Sequence, residues 1–198
     1  MSVSNNPELK AASSLLSALY RDSLVLITSA YQDRLNGQIA LAALPASIVP
    51  EKPRLLIELW QNNFTHDLIK KSGVFTLHLL RPDQLELLRT FGFYHGHNRN
   101  KFSGLSYKFG STGSPFLEDS LGWLECRVIG QLPTEDMTAF IGEVVAAWRN
   151  SDEEALTWTK ARELLPKDWL DEYNASVRRQ NEDWARQRLG IVTGEQAD

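Results

Sequence analysis

Little in this sequence invites chemistry that depends on rare residues. Cysteine occurs once in 198 residues, so no internal disulfide framework can form. Cys126 sits in the strand-like run GWLECRVIG, which makes it a packed side chain rather than a reactive thiol, and a reducing cytoplasm is the expected setting. No run reaches the ~18 apolar residues of a membrane span, and MSVSNNPELK has neither the basic nor the apolar part of a leader peptide. A soluble protein with no membrane partner is expected. The 21 basic residues are outnumbered by 25 acidic ones, for a net charge of −4. They are also scattered rather than clustered, which argues against a nucleic-acid partner. There is no GxGxxG fingerprint, no internal repeat and no low-complexity tract. His95-Gly96-His97 has no further Cys or His near it, so no metal site is assigned.

What is present suits one domain with an appended piece, and a chain of this length buries roughly 70% of its unfolded surface. Asn6-Pro7 before ELKAASSLLSALYRD predicts a short covering helix. SLVLITSAY (23–31) predicts a buried strand, closed by the polar turn QDRLNGQ, where Asn36-Gly37 tolerates positive φ. IALAALPASIVP follows without clean alternation, which predicts burial on both faces or close approach of something flat to Ala40, Ala42, Ala43 and Ala46. RLLIELW (54–60) is a further strand. Thr65 is placed to cap the helix THDLIKKSG, with Asp67 at its positive end, Lys70 and Lys71 at its negative end and Gly73 as its stop.

VFTLHLL (74–80) predicts the next strand, with His78 as a strand-face residue. QLELLRTF forms a helix ended by Gly92. The polar, glycine-rich segment from Phe93 to Pro115 is too long for an ordinary connection, and Lys101 and Phe102 in it are placed to touch an anionic aromatic ligand. LGWLECRVIGQL (121–132) and TAFIGEVVAAW (138–148) predict two antiparallel strands. From Asn150 the pattern turns helical: Ser151 and Glu154 form a capping box, Pro166 restarts a helix, and Trp169, Tyr173, Val177 and Trp184 make one apolar stripe that packs on the barrel or a partner. TGEQAD is expected to fray. Short strands without a βαβ rhythm point to a mainly β antiparallel barrel.

The stretch RLNGQIALAALPASIVPEKPRLLIELWQNNFTH (34–66) organises the rest. It joins a glycine-marked, small-residue ribbon to a helix start whose unpaired N–H groups form a natural phosphate site. A flavin mononucleotide would use the ribbon for its ring and the helix start for its phosphate. LVLITSAYQDRLNGQIALAALPASIVPEKPRLLIELWQNNFTHDLIKKSGVFTLHLL, NKFSGLSYKFGSTGSPFLEDSLGWLECRVIG and FIGEVVAA together resemble the flavin reductase-like family of FMN-binding split-barrel proteins, over about residues 15–148.

That resemblance implies a six-stranded antiparallel split β-barrel, here over residues 1–148, and a homodimer with FMN near its interface; the C-terminal helical extension over 149–198 lies outside it. It places Asn36, Gly37, Gln38, Ile39, Ala40, Leu41 and Ala42 along the flavin ring, matches Ser47 to the serine before the proline loop, and sets Asn63, Thr65 and His66 by the phosphate. Lys101-Phe102 matches the family's lysine-phenylalanine pair. Ile39-Ala40-Leu41 stands where the family often has Thr-Ala-Ser, Asn98 and Asn100 where it often has acids, and Asp136-Met137-Thr138 where reductases often have Asp-His-Thr. The function implied is an oxidoreductase that moves reducing equivalents from NADH or NADPH through bound FMN to free flavin or to a small-molecule or protein acceptor, with no catalytic side chain assigned. The alternatives are a flavin-binding electron carrier or sensor without nicotinamide turnover, and a barrel that has lost its cofactor and acts through its tail.

Overall fold

The computed structural model describes residues 22–97 and 99–191. The helix expected after Asn6-Pro7, Asn98 and the closing TGEQAD lie outside the described residues. β1 (Val25–Tyr31) and β2 (Arg34–Ala40) pair antiparallel around a turn at Gln32 and Asp33, and the positive φ falls on Gln32, at 56°. Asn36 and Gly37 therefore lie inside β2 rather than in the turn. Gly37 serves a close approach instead: a β-carbon there would stand 2.8 Å from the Phe91 ring. The ribbon expected over residues 39–50 is also divided. β2 ends at Ala40, and Ala43–Pro45 forms the separate short strand β3 on the edge of β4 (Arg54–Trp60).

β5 (Val74–Leu79), β8 (Gly122–Pro133) and β9 (Met137–Arg149) complete a seven-stranded sheet in the order β2-β1-β5-β8-β9-β4-β3. All its pairings are antiparallel. The sheet curls until β2 and β4 touch across the opening. The fold is thus a mainly β half-barrel of the expected kind, and the strand count exceeds the expected six because the short β3 is counted. β6 (Lys108–Phe109) and β7 (Pro115–Phe116) form a small separate ladder within the long connection. The Glu125 carboxylate ties that connection down, accepting hydrogen bonds from the backbone and hydroxyls of Ser111 and Thr112.

Both faces of β1 are buried, which is why its sequence does not alternate. Val25 and Ile27 join Ile57, Phe75, Cys126 and Phe140 inside the curl, where Ile69 of α1 (Phe64–Ser72) meets them. Leu24 and Leu26 face the opposite cluster, built with Leu88 and Phe91 of α2 (Leu85–Gly92), Phe102 and Ala161 of α3 (Trp158–Leu164). Cys126 is fully buried and its thiol is pushed up to about 12, chiefly by desolvation, as a packed cysteine should be. Helix α3 is capped by Thr157, whose hydroxyl accepts from the Lys160 N–H. Ser151 instead bonds the backbone of Glu153, so the expected capping box at Ser151 and Glu154 does not form there. α4 (Lys167–Tyr173) begins at Pro166 as expected and runs through a π-helical turn (Asn174–Arg178) into α5 (Arg179–Arg188).

His78, wholly buried on β5, links three segments. Its Nδ1 lies 3.1 Å from the Leu26 carbonyl, and its Nε2 accepts the Leu117 N–H at 3.2 Å. A carbonyl on one nitrogen and an N–H on the other require the neutral ring protonated at Nδ1. Desolvation lowers its pKa from 6.5 to about 4. The unfolded chain therefore takes up a proton first, and stability is lost as pH falls through that interval. Denaturation midpoints measured from pH 7 to pH 4 should show this fall, and a His78→Gln variant should flatten it.

Candidate functional site

A cavity of about 330 Å³ opens between β2, the start of α1, the C-terminal end of α2 and the helical tail. This size lies at the small end of the ~300–1,000 Å³ typical of sites for small molecules. One wall is the ribbon: Asn36, Gln38, Ile39 and Ala40 of β2, then Leu41 and Ala42. The facing wall carries Glu58 and Trp60 of β4 together with Met137. Asn63 and Phe64 form one end, where α1 begins. Leu88, Phe91 and the loop from Phe93 to Gly96 form the floor with Lys101, and Trp158, Tyr173, Val177 and Asn181 of the tail close the outer side.

The helix start is built differently from the sequence expectation. Asn63 rather than Thr65 is the N-cap residue, and its side chain makes no capping bond. The first-turn N–H groups have no carbonyl within the helix to accept them, so they remain available to an anion beside Asn63. Asp67, Lys70 and Lys71 fall in the first and last turns as expected, and Gly73 ends the helix at φ 71°. Thr65 is fully buried behind the cavity wall, where its hydroxyl accepts from Asn36 Nδ2 at 3.0 Å. His66 is also buried, with Nε2 2.9 Å from the Thr138 hydroxyl, and burial pushes its pKa down. Thr65→Val should leave the buried Asn36 amide without its acceptor and cost about 1–3 kcal/mol of stability in chemical denaturation.

The remaining residues singled out from the sequence divide in two. Asn36, Gln38, Ile39, Ala40, Leu41, Ala42, Asn63 and Lys101 meet in the cavity wall. Gly37 contributes through its carbonyl, which accepts from Lys101 Nζ at 3.1 Å; the same ammonium donates to the Phe91 carbonyl at 3.0 Å. Lys101 so ties β2 to α2, and desolvation, then the charge of Arg99, lowers its pKa to about 7. Phe102 lies in the core, edge-on to Phe91 and Tyr107. Ser47 stands apart, in the loop after β3, bonded to the backbone of Val49.

Trp60, Phe64, Tyr94 and Asn181 of this wall are marked by no motif, Tyr173 and Val177 belong to the stripe expected to pack on the barrel or a partner, and His95 stands out in the sequence only as a weak metal-ligand candidate. His95 Nε2 and Gln38 Oε1 are buried polar atoms with no hydrogen-bond partner among the described residues, and both residues line the cavity. Burial and then the Lys101 charge lower the His95 pKa. Gly96 packs so closely on the Asn36 amide that no β-carbon fits, which sets the path of the loop past the helix start. His97 stacks on Phe64 at 5.0 Å, and Arg34 covers the same ring at 4.4 Å. An apolar slot with unpaired polar atoms on its wall, one buried cation and a helix start at its end fits a flat heteroaromatic ring that carries donors, acceptors and a phosphate tail.

The fold alone defines the class: an antiparallel split β-barrel. The model of the flavin reductase-like domain matches residues 18–163, and the chain belongs to that family. It is 32% identical over 126 residues to the high molecular weight rubredoxin of Moorella thermoacetica, which covers 63% of this chain but only 54% of the rubredoxin. It is also 32% identical over 145 residues to the ferric-chelate reductase (NAD(P)H) of Archaeoglobus fulgidus, covering 71% of this chain and 85% of that one. Among solved structures, the flavin reductase domain protein of Arthrobacter sp. FB24 superposes with a TM-score of 0.66 over 74% of this chain and 90% of that chain, at 22% identity. Among the described residues no helix is long and apolar enough to cross a membrane.

Proposed function

We propose that the protein binds FMN in the cavity between β2 and α1 and works as a flavin reductase-like oxidoreductase, taking reducing equivalents from NADH or NADPH and passing them to free flavin or to a partner acceptor. The observation that carries this reading is one crevice that joins the small-residue ribbon Asn36–Ala42 to the open helix start at Asn63. Bound flavin supplies the redox chemistry; the chain's work is to bind, orient and shield it. The ribbon supplies one wall for the ring, Gln38 offers an acceptor to a ring N–H, Lys101 presents positive charge, and the α1 amides receive the phosphate. Membership of the family and the NAD(P)H in the ferric-chelate reductase's name support a nicotinamide donor.

Two further elements belong to the same reading. The β8–β9 hairpin leaves Leu132 69% and Trp148 62% exposed, with Ile129 and Val145 also exposed, apolar side chains spread along the hairpin that a subunit contact would cover. We take the hairpin as the surface of a homodimer, in which residues 149–198 extend the barrel domain of residues 1–148, and we place the protein in the cytoplasm. Sedimentation as a monomer at micromolar concentration would remove the dimer.

The visible absorption spectrum is the first test. Protein as purified, or after addition of FMN, should show bound-flavin bands and oxidise NADH or NADPH; a colourless preparation that takes up no FMN contradicts the reading. Met137 in the cavity wall, where a reductase histidine is often found, favours a second reading: a flavin-binding carrier or sensor without nicotinamide turnover. Stopped-flow mixing with each nicotinamide separates the two, since rapid bleaching of bound flavin excludes the carrier.

A further inference from the structure

The family match ends at residue 163, yet Tyr173, Val177 and Asn181, all beyond it, form part of the cavity wall. Asn181 is only 3% exposed although it lies on a mostly polar helix. Its Nδ2 donates to the Val177 carbonyl at 2.9 Å, which fixes the amide, and its Oδ1 accepts from Asn62 Nδ2 at 3.3 Å. Asn62 immediately precedes the N-cap of α1, so this bridge spans the end of the cavity where the helix starts. α5 then continues to Arg188, whose Nε donates to the Glu135 carbonyl in the β8–β9 turn at 3.2 Å. Gln61 holds the same turn from the other side, donating to the carbonyls of Thr134 at 2.6 Å and Met137 at 3.0 Å. Tail, β8–β9 turn and the residues before α1 are thereby tied into one polar band.

We propose that the C-terminal helices make this site selective for a flavin mononucleotide over a flavin dinucleotide, by closing its phosphate end through the Asn62–Asn181 bridge and the Arg188 clasp. This rests on the FMN reading above. A phosphate monoester ends at the α1 amides and needs nothing beyond them. A pyrophosphate carries the chain onward to an adenosine, which would have to pass the band that joins Asn62 to Asn181 beside that end. Tyr173, Val177 and Asn181 of the tail are part of the wall of this cavity of about 330 Å³, so the docked tail limits the room beside the phosphate end.

Equilibrium titration of the full-length protein with FMN and with FAD, followed by flavin fluorescence, tests this. Wild type should prefer FMN by at least about tenfold. Asn181→Ala and, separately, the surface variant Arg188→Ala should each narrow that ratio by roughly fivefold, the scale of one hydrogen bond released. Equal affinity of the wild type for both flavins overturns the proposal while leaving the flavin site intact. A preference that neither variant changes also overturns it, because selectivity then arises elsewhere. If the wild type binds neither flavin, the FMN reading fails and this inference falls with it.

Discussion

Methionine in place of Lys101 is expected to weaken FMN binding ten- to a hundredfold, as loss of one charge-assisted hydrogen bond of about 1.5–3 kcal/mol would. The ammonium is 4% exposed and is held by two backbone carbonyls, with no carboxylate among its partners in the described residues. Burial without a carboxylate makes its charge costly in the free protein, and an anionic ligand beside it would stabilise that charge. Methionine keeps most of the apolar stem, so the packing of the stem survives while the charge goes. The pH dependence distinguishes this from a packing effect. Above about pH 6 the FMN phosphate is already a dianion, while the free protein loses the Lys101 charge above about pH 7. Binding must then restore a proton, so wild-type affinity should fall as pH rises from about 7, and Lys101→Met should show no such fall. Fluorescence titrations across that range measure both. Unchanged affinity and slope would mean that the anion binds elsewhere.

The second large effect is expected from Phe140→Ala, at about 3–5 kcal/mol of stability. Phe140 is fully buried in β9, paired with Ile57 in register and clustered with Phe75 inside the curl. Its ring also lies 5.4 Å from that of His66, in the first turn of α1. Truncation leaves a void at the point where the barrel core supports the helix start. A domain with about 5–15 kcal/mol of stability loses a large share of it. Urea unfolding should show a lower midpoint with an unchanged slope, and FMN should restore part of the loss by mass action. A stability loss below about 1 kcal/mol would show that the site relaxes around the void.

Local signals were most legible where one residue decides one feature. Gly73 ends α1 in a left-handed conformation, Pro166 begins α4, and the runs 54–60, 74–79, 122–133 and 137–149 became strands because branched and aromatic residues recur in them. The errors share a different cause. Asn36-Gly37 has the composition of a turn, but its glycine answers to Phe91, a residue more than 50 positions later whose approach no local pattern encodes. Thr65 has the chemistry of a cap, yet its hydroxyl is used by the Asn36 amide of β2. Ser151 and Thr157 can both cap, and the geometry of the linker chose Thr157. The cavity was legible as a pairing of ribbon and helix start. Its outer wall was not, because Tyr173 and Val177 belong to a helical stripe that packing against the barrel explains equally well, and Asn181 carries no local signal at all.

Hydrogen exchange of the full-length protein with and without FMN tests the central claim most directly. Amides of residues 36–42 and of the first turn of α1 should exchange more slowly when FMN is present, with residues 94–101 and the tail around Asn181 following. Tight FMN binding that leaves 36–42 and 63–66 unprotected, or that protects only the outer face of β8 and β9, would contradict the account.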